Sequence, residues 1–349
     1  MLSSGTMVDI DYCISSFLTF RFVIDENKIF KKGIMRPLYP LPEIRFKIRT
    51  ADDICAAIQE VFSSTVDEQA GIMLSGGMDS AVLASYLPAG TKAYTLECQA
   101  AGATQETNKA RYFAEKCGLD HRIVKISWED YEKYAPLCMK LKGAPLHSIE
   151  PMICKAAFQA KSDGCTKLIF GDPADIKFGG MDGLLAQDWT EDEFKKRYTF
   201  VEPSRVVKRP IDTREPFAKY AQKGFYDAHG FINDFFLTEA HNSYSNPCKI
   251  AGVEYVTPYV FMSLDGPIDL QRIRRGESKY LIRELFAKRY PGMAPATKLA
   301  MPRAVGFWLK DWEGPQRAEF LPDCIEGLTG DQIWYVYVLE WFLNLIENN

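Results

Sequence analysis

One stretch of this chain is better suited to chemistry than any other: Ser75-Gly76-Gly77-Met78-Asp79-Ser80. Two adjacent glycines let the backbone turn tightly and bring several N–H groups close to anionic oxygens. The two serines offer hydroxyl donors, and Asp79 can hold a cation that neutralises phosphates. A glycine turn capped by a serine, without any bound ligand, would have the same sequence pattern. The apolar run before the stretch and the helix predicted after it favour a polyphosphate site.

A second stretch rich in glycine and aspartate runs from Gly171 to Gly180 and also follows a short apolar run. Asp172 and Asp175 lie three residues apart in it. If both stretches sit at the carboxyl ends of parallel strands, these carboxylates face the same crevice as Asp79. Carboxylates from two loops are what a Mg²⁺ ion that bridges phosphates requires. Taken alone, the second stretch could also be a turn with solvated acids.

The elements around these stretches alternate between strands and helices. Residues 51–65 are predicted as an amphipathic helix, because Ile54, Ile58 and Phe62 recur every four residues. Strands are predicted at 71–74, 93–98, 122–126 and 167–170, with helices at about 79–87 and 106–117 and two more before residue 161. This order predicts an α/β fold with a mainly parallel, doubly wound sheet.

The two ends of the chain have a different character. Residues 1–50 carry spaced aromatic residues and a turn-rich proline run, from which we predict short strands and an extended arm. Residues 183–349 are rich in helix formers and aromatic residues, which predicts a helical C-terminal half. The domain hypothesis is therefore a short arm at 1–50 and one domain at 51–349, with an α/β part at 51–182 and a helical part at 183–349.

Composition excludes several classes of protein. The 349 residues include 42 Lys and Arg against 46 Asp and Glu, a net charge of -4 that disfavours a general binder of nucleic acid or membrane surfaces. The nine cysteines are scattered without a Cys-x-x-Cys pair, which disfavours a disulfide framework and a cysteine zinc site. We predict a cytoplasmic protein with no membrane-spanning segment. The Walker nucleotide loop is also absent from the sequence.

Together the two stretches resemble the synthetase domain of the asparagine synthetase and β-lactam synthetase family, which are N-type ATP pyrophosphatases with a PP-loop. In that family the second stretch runs G-(E/Y)-G-(A/S)-D-x-x-x-G-G. Residues 171–180 follow this pattern with two departures, Asp172 and Pro173. Glu106 with its helix, and residues 333–341 near the C-terminus, also fit the family.

The resemblance implies an adenine nucleotide α-hydrolase-like fold that binds ATP and Mg²⁺. Mg²⁺ would be held by Asp79 and Asp175. The adenine would lie against the strands that end at Leu74 and Leu96, and the pyrophosphate would lie on the first loop. The implied nucleotide-binding residues are Leu74, Ser75, Gly76, Gly77, Asp79, Ser80, Leu96 and Gly171.

The reaction implied by the family is amide formation in two steps. A substrate carboxylate attacks the α-phosphate of ATP to give an acyl-adenylate and pyrophosphate, and ammonia or an amine then displaces AMP. Asp172 stands where relatives carry Glu or Tyr, and we predict that it is a base or orienting group. Relatives also use a late Lys in a Pro-Lys context. Here Arg303 occupies that position, with Lys298 as the competing candidate.

Family members carry an N-terminal glutaminase domain, and the resemblance implies that residues 1–50 are a remnant of it without glutaminase activity. The expected partners are a small carboxylate and an amine or ammonia, with a separate glutaminase or amine-supplying protein as a further candidate. Ring closure within one substrate, sulfur transfer to tRNA and an ATP-binding homologue without catalysis stay open as alternatives. The basic run of Arg272, Arg274, Arg275, Lys279 and Arg283 is predicted to be a solvated helix face, with binding of an anionic substrate as the alternative.

Overall fold

The computed structural model describes residues 6–34, 36–37, 39–103, 105–294 and 303–348. Many of the strands in these ranges are short. They are β1 (Met7–Val8), β2 (Lys28–Ile29), β3 (Phe46–Ile48), β4 (Ala70–Met73), β5 (Lys92–Cys98), β6 (Asp120–Ile126), β7 (Lys167–Ile169), β8 (Ala221–Gln222), β9 (Phe225–Tyr226), β10 (Glu254–Val256) and β11 (Met262–Leu264).

The helices of the described ranges follow the strands of the sheet and fill the second half of the chain. They are α1 (Ile10–Phe20), α2 (Ala51–Thr65), α3 (Met78–Ala84), α4 (Thr107–Cys117), α5 (Trp128–Lys142), α6 (Glu150–Ser162), α7 (Ala174–Lys177), α8 (Glu191–Tyr198), α9 (Ala228–Phe231), α10 (Leu237–Ala251), α11 (Leu270–Arg274), α12 (Tyr280–Arg289), α13 (Val305–Trp308) and α14 (Gly330–Glu347). A π-helical turn, Ile232–Phe236, joins α9 to α10.

The centre of the fold is a five-stranded sheet in the order β10-β7-β4-β5-β6, and every neighbouring pair in it is parallel. The chain builds from β4 through β5 to β6 on one side and then returns to place β7 and β10 on the other side. The strand order therefore reverses between β4 and β7, the place where a doubly wound sheet opens a crevice for a ligand. The predicted α/β class and the doubly wound parallel sheet are confirmed.

Separate cores cover the two faces of the sheet. On one face Tyr94, Leu168 and Phe170 pack with residues of α5, α6 and α14. On the other face Ile72 and Ile169 pack with residues of α2, α3, α4 and α12. Side chains buried on both faces explain why these strands appear in the sequence as continuous short apolar runs rather than as alternating patterns.

Helix α2 has the bounds that its apolar spacing predicts, 51–65. Thr50 caps its first turn by accepting a hydrogen bond from the N–H of Asp53 at 3.2 Å, and the Asp53 carboxylate accepts the N–H of Thr50 at 2.8 Å. This reciprocal pair satisfies two of the N–H groups that a helix start leaves without partners. The four-residue spacing places Ile54 and Ile58 in the core.

The prediction of short strands and an extended arm is wrong for residues 10–20, which form helix α1. The helix is buried from Cys13 to Phe20. Phe17 stacks on Tyr335 of α14 with ring centroids 5.1 Å apart, and Phe20 stacks on Phe217 at 5.3 Å. The buried residues of α1 include Ser15, Ser16 and Thr19 as well as apolar side chains, so its sequence lacks the division into an apolar and a polar face by which helices are recognised.

The C-terminal half is mainly helical, as predicted, but it also completes the sheet. Strand β10 lies within residues 183–349 and forms the edge of the sheet beside β7. Three residues give too short an apolar run to be recognised without their partner strand. The division into parts at residue 182 stays a prediction. In the part of the chain that the structure describes, we find no helix with the length and apolarity needed to cross a membrane.

The packing of α1 predicts a large loss of stability for Phe17→Ala. Removing a fully buried ring leaves a cavity, and we expect the free energy of unfolding to fall by about 3–5 kcal/mol. Ile10→Ala in the same helix is the matched control, because its side chain is 39% exposed and should cost less than about 1 kcal/mol. Urea unfolding followed by tryptophan fluorescence measures both. Equal, small losses would contradict the assignment of α1 to the core.

Candidate active site

Two loops leave neighbouring strands at the point where the strand order reverses. The loop after β4 carries Ser75 to Ser80, and the loop after β7 begins at Gly171. Ile72 of β4 pairs with Ile169 of β7, so the two loops start at the same level of the sheet. Both therefore border one cavity of about 210 Å³ at the carboxyl ends of the strands.

Glycine is needed where the two loops touch. A Cβ added at Gly171 would lie 2.9 Å from the backbone N of Ser80, and one at Gly180 would lie 2.1 Å from Oδ1 of Asp175. Real Cβ atoms do not approach other atoms so closely, so a side chain at Gly171 would push the two loops apart and one at Gly180 would displace the Asp175 carboxylate. Gly171 therefore lets the two carboxylate-bearing segments converge, and Gly180 leaves room for the second carboxylate.

The first loop is held by its own hydroxyl groups. The Oγ atoms of Ser75 and Ser80 are 2.9 Å apart, and Oγ of Ser80 accepts the N–H of Ser75 at 3.0 Å. Oγ of Ser75 in turn accepts the N–H of Gly77 at 3.1 Å. The loop is thus shaped before a ligand arrives, which lowers the entropy cost of binding.

A buried ammonium group lies between the carboxylates of the two loops. Nζ of Lys279 is 2.6 Å from Oδ2 of Asp79 and 2.8 Å from Oδ1 of Asp175, and the lysine side chain is 5% exposed. Burial acts to lower the pKa of Lys279, but the attraction of the two carboxylates outweighs it and holds the pKa above its ordinary value. Lys279 also has a φ of +54°, a left-handed backbone conformation that is uncommon outside glycine and clusters at functional sites.

The pair of Asp79 and Asp175 fits a divalent cation that shares its coordination with phosphates. Their oxygens already converge on one positive charge, that of Lys279. In the described residues, no group of three or more His, Cys, Asp or Glu side chains is arranged to hold a metal. Two carboxylates with phosphate oxygens and water is the usual arrangement for Mg²⁺, which rarely has a cage made of protein alone.

Asp172 also lines the cavity, but its electrostatic surroundings differ from those of Asp79 and Asp175. Its Oδ2 accepts a hydrogen bond from the Tyr255 hydroxyl at 3.1 Å. Burial raises the pKa of Asp172 to about 8, with Asp175, Glu239 and Asp79 adding to the rise, while the Tyr255 hydrogen bond opposes it. This carboxyl group therefore holds its proton up to neutral pH and can exchange it near pH 8, the range in which general acids and bases work.

Glu106 is a second carboxyl group in the cavity wall. It is 6% exposed at the start of α4. Burial raises its pKa to about 7, against the charge of Lys109 and a hydrogen bond from the N–H of Gly76. The first loop packs on this helix, since a Cβ at Gly76 would lie 2.7 Å from Cβ of Lys109.

The apolar end of the cavity lies at the ends of β4 and β5. Leu74 and Leu96 line it together with Thr95. Thr95 Oγ1 donates to the carbonyl of Leu74 at 2.6 Å and lies 2.8 Å from Nε2 of His121. These bonds hold the two strand ends together and leave Leu74 and Leu96 as an apolar wall against which a flat ring can lie.

The structure brings most of the predicted site residues to one cavity. The lining includes Leu74, Ser75, Gly77, Asp79, Ser80, Leu96, Gly171, Asp172 and Asp175. Gly76 lies in the same loop, outside the lining. Arg303 is placed elsewhere, with Nη2 3.2 Å from Oδ2 of Asp331. Lys298 lies outside the described residues. The roles of these residues stay predictions.

Lys279 is the site residue that sequence reasoning missed, and the prediction of a solvated helix face is wrong for it. The basic run is divided between α11 and the start of α12, so it does not form one face. Arg272 pairs with Glu277 and Glu284 near the surface, whereas Lys279 points into the cavity, which Arg283 also lines. No local pattern separates a lysine that meets distant aspartates from its neighbours. Phe170 and Tyr244, which also line the cavity, were missed for the same reason.

A parallel sheet with a glycine–serine loop and facing aspartates at its switch point is the organisation expected of a PP-loop protein. Residues 59–252, more than half of the chain, match the family model of asparagine synthase. The chain belongs to the asparagine synthase family. This membership supports an ATP-using enzyme of the ATP pyrophosphatase class.

No curated protein matches the chain. Among solved structures, NMN synthetase from Francisella tularensis is similar at 14% identity over 72% of this chain and 100% of its own, with a TM-score of 0.28. The predicted tRNA methyltransferase subunit from Methanocaldococcus jannaschii is 14% identical over 67% of this chain and 97% of its own, with a TM-score of 0.24. The U34-tRNA thiolase from Methanococcus maripaludis is 15% identical over 72% of this chain and 86% of its own, also with a TM-score of 0.24.

The setting of Asp172 predicts an unusual titration. In protein labelled with ¹³C at the aspartate carboxyl carbons, the Asp172 signal should move with a midpoint near pH 8, because burial disfavours its charged form. Asp172→Asn assigns the signal by removing it. The group is neutral below the midpoint and charged above it. A midpoint near the ordinary value of 3.8 would contradict the assignment.

Proposed function

We propose that this chain is an AMP-forming carbon–nitrogen ligase that uses ATP to activate a carboxylate as an acyl-adenylate and then transfers the acyl group to ammonia or an amine. The observation that carries this proposal is the meeting of the Ser75–Ser80 loop with Asp79, Asp175 and Lys279 in one cavity. A carboxylate needs such activation, because its negative charge makes it a poor electrophile. The family supports this class of reaction and small-molecule substrates.

In the proposed complex, ATP lies along the switch point of the sheet. Its adenine lies against the ends of β4 and β5, beside Leu74 and Leu96. Its pyrophosphate lies on the first loop, where the hydroxyl groups of Ser75 and Ser80 and the backbone N–H groups can donate to phosphate oxygens. The hydrogen bonds within the loop favour this function, since they order the donors in advance.

In the first step a substrate carboxylate oxygen attacks the α-phosphorus. The bond from that phosphorus to the oxygen shared with the β-phosphate breaks, and pyrophosphate leaves. Negative charge grows on the phosphate oxygens in the transition state. Lys279 supplies a positive charge that its two ion pairs hold in place, and such fixed charge is where most of the catalysis would arise.

Asp79 and Asp175 would hold Mg²⁺ on the phosphates, and the metal would supply neutralisation of their charge. Lys279 would then neutralise the carboxylates themselves on the side facing the protein. The fit rests on the convergence of the two carboxylates from separate loops.

In the second step the amine nitrogen attacks the acyl carbon, the bond from that carbon to the AMP oxygen breaks, and AMP leaves. The nitrogen must lose a proton as the amide forms. Asp172 is proposed to take it, because its carboxyl group lines the cavity and its raised pKa suits exchange of a proton near neutral pH. The amine step should therefore become faster as the pH rises towards 8 and Asp172 ionises.

Asp172 is shorter than the Glu or Tyr that relatives carry, so the carboxylate substrate is expected to differ from that of asparagine synthesis. The amine would come as free ammonia, as an amine substrate or from a separate protein. A cytoplasmic location is proposed on the cysteines, all nine of which are free thiols and most of which are buried.

Loss of either loop carboxylate should abolish the first step. We expect Asp79→Asn and Asp175→Asn each to reduce release of pyrophosphate at least about 100-fold, because each removes one ligand of the phosphate-bound cation. Each variant should also lose some thermal stability while still folding, since it removes a partner of the buried Lys279. Asp182→Asn, at an exposed position, is the control. The measurement is phosphorus NMR of ATP, Mg²⁺ and enzyme with pooled carboxylic and amino acids, with and without ammonium.

The same spectra distinguish the open alternatives. AMP and pyrophosphate that appear only with a carboxylate support the ligase, and a product in which one substrate has lost water to form an internal amide indicates ring closure within that substrate. ADP and phosphate would overturn the adenylate mechanism. ATP binding without any turnover would favour a homologue that has lost catalysis. Full activity in Asp79→Asn or Asp175→Asn would overturn the metal assignment.

Substitutions of the three candidate cationic side chains should differ in how far they reduce the rate of adenylation. We expect Lys279→Met to cause the largest loss, at least about 100-fold, because it leaves two carboxylates in the cavity without their counter-charge. Arg303→Ala should reduce the rate more than Lys298→Ala, as the position of Arg303 in the family pattern implies. Lys288→Met, on the exposed side of α12, is the control. The reverse order of Arg303 and Lys298 would show that Lys298 is the family's late lysine.

A further inference from the structure

Strand β10 and the residue that follows it contact Asp172 at two points from the edge of the sheet. Tyr255 donates its hydroxyl to Oδ2 of Asp172 at 3.1 Å, and the Thr257 hydroxyl donates to the backbone carbonyl of Asp172. Thr257 lies just after β10 and keeps an extended backbone, and residues two apart in extended backbone project to the same side. Tyr255 and Thr257 therefore hold the side chain and the backbone of one residue from one extended segment.

The ring of Tyr255 is fixed by aromatic neighbours on two elements. Its centroid lies 5.2 Å from that of Phe170, 6.1 Å from that of Tyr244 in a stacked pair, and 5.4 Å from that of His241. Phe170 precedes the loop that carries Asp172, while Tyr244 and His241 belong to α10. A ring packed in this way has one place for its hydroxyl, and that place is beside Asp172.

The Tyr255 hydroxyl is a permanent donor. Burial and the neighbouring Asp172 charge raise the pKa of Tyr255 well above its ordinary value, so the phenol keeps its proton at any pH at which the protein works. A donor to the carboxylate form stabilises that form. It also occupies Oδ2, which leaves the other oxygen of Asp172 for a ligand in the cavity.

We propose that Tyr255 is a positioning residue, which orients the Asp172 carboxyl group so that its second oxygen takes the proton of the attacking amine. This inference rests on the proposed function. In it, a residue of the edge strand β10 sets the orientation of the base, Asp172. Tyr255 does not line the cavity itself, so it acts through Asp172 and does not touch the substrate.

The groups around Asp172 make this orientation necessary. Asp175 on α7, Glu239 on α10 and Asp79 on α3 are acidic groups that disfavour its charge. Lys279, the nearby cation, is engaged by Asp79 and Asp175. Tyr255 is the hydrogen-bond donor that the described structure gives to the Asp172 carboxylate, and without it this group would be free to rotate and harder to ionise.

The test is Tyr255→Phe, which removes the hydroxyl and keeps the ring. We measure the two half-reactions separately: carboxylate-dependent exchange of labelled pyrophosphate into ATP for adenylation, and amide formation for the second step. The kcat for amide formation should fall at least about 10-fold, while exchange stays within about two-fold. Tyr131→Phe is the control, since it removes a buried hydroxyl that donates to the Ser148 carbonyl at 2.7 Å outside the cavity.

A second measurement needs no substrate. In ¹³C-aspartate protein the midpoint of the Asp172 titration should rise by at least about half a pH unit in Tyr255→Phe and stay unchanged in Tyr131→Phe. An unchanged midpoint with unchanged amide formation would overturn the proposal, as would an equal loss in both half-reactions. Absence of any exchange in the wild-type protein would overturn the proposed ligase function instead, and the titration alone would then decide whether Tyr255 controls Asp172.

Discussion

The bridge from Lys279 to Asp79 and Asp175 is the interaction on which the site depends. It joins the loop after β4, the loop after β7 and the start of α12, which are separate in the chain. The pairing of β4 with β7 brings the two loops together, and the bridge adds the lysine. A buried ammonium without partners would lose its proton or draw in water, so Lys279 depends on both carboxylates. Gly171 allows the two loops to approach each other, Gly180 leaves room for the Asp175 carboxylate, and the left-handed backbone at Lys279 accompanies the bridge.

This bridge also divides the carboxyl groups of the cavity into two kinds. Asp79 and Asp175 share the positive charge of Lys279, which suits them to phosphate-bound metal. Asp172 and Glu106 lie in the same cavity with raised pKa values, because burial outweighs the Tyr255 hydrogen bond at Asp172 and the charge of Lys109 at Glu106. Groups whose environments separate their pKa values in this way can take different roles within one site. In the proposed ligase, charge neutralisation and proton transfer are thereby assigned to different carboxyl groups.

The edge strand β10 and helix α1 contribute contacts to the site and to the core although they lie outside the central strands. β10 completes the sheet beside β7, and Tyr255 within it and Thr257 just after it supply the two hydroxyl groups that contact Asp172. α1 packs its phenylalanines against α14 and against the aromatic cluster around Phe217. The aromatic residues of the second half, which in the sequence suggest only a core, thus include Tyr244 and Tyr255 at the base of the site.

Local patterns in the sequence were enough to predict strands β4 to β7 of the sheet and the two loops of the site. The buried strands β4, β5 and β7 were predicted to within about one residue at each end, because short apolar runs between turn residues are a local signal. The glycine–serine loop, the Asp175 loop and the family followed from spacing within ten residues. These features depend on backbone conformation and hydrogen bonds between near neighbours, which adjacent residues specify.

Tertiary structure alone decided the rest. The Lys279 bridge spans 200 residues from Asp79, and the contact of Tyr255 with Asp172 spans 83. The environment that raises the pKa of Asp172 comes from elements far apart in the chain, as does the burial that makes α1 a core helix. Charge compensation and burial depend on distance in space, and a linear pattern carries no measure of that distance until the sheet has brought its strand ends together.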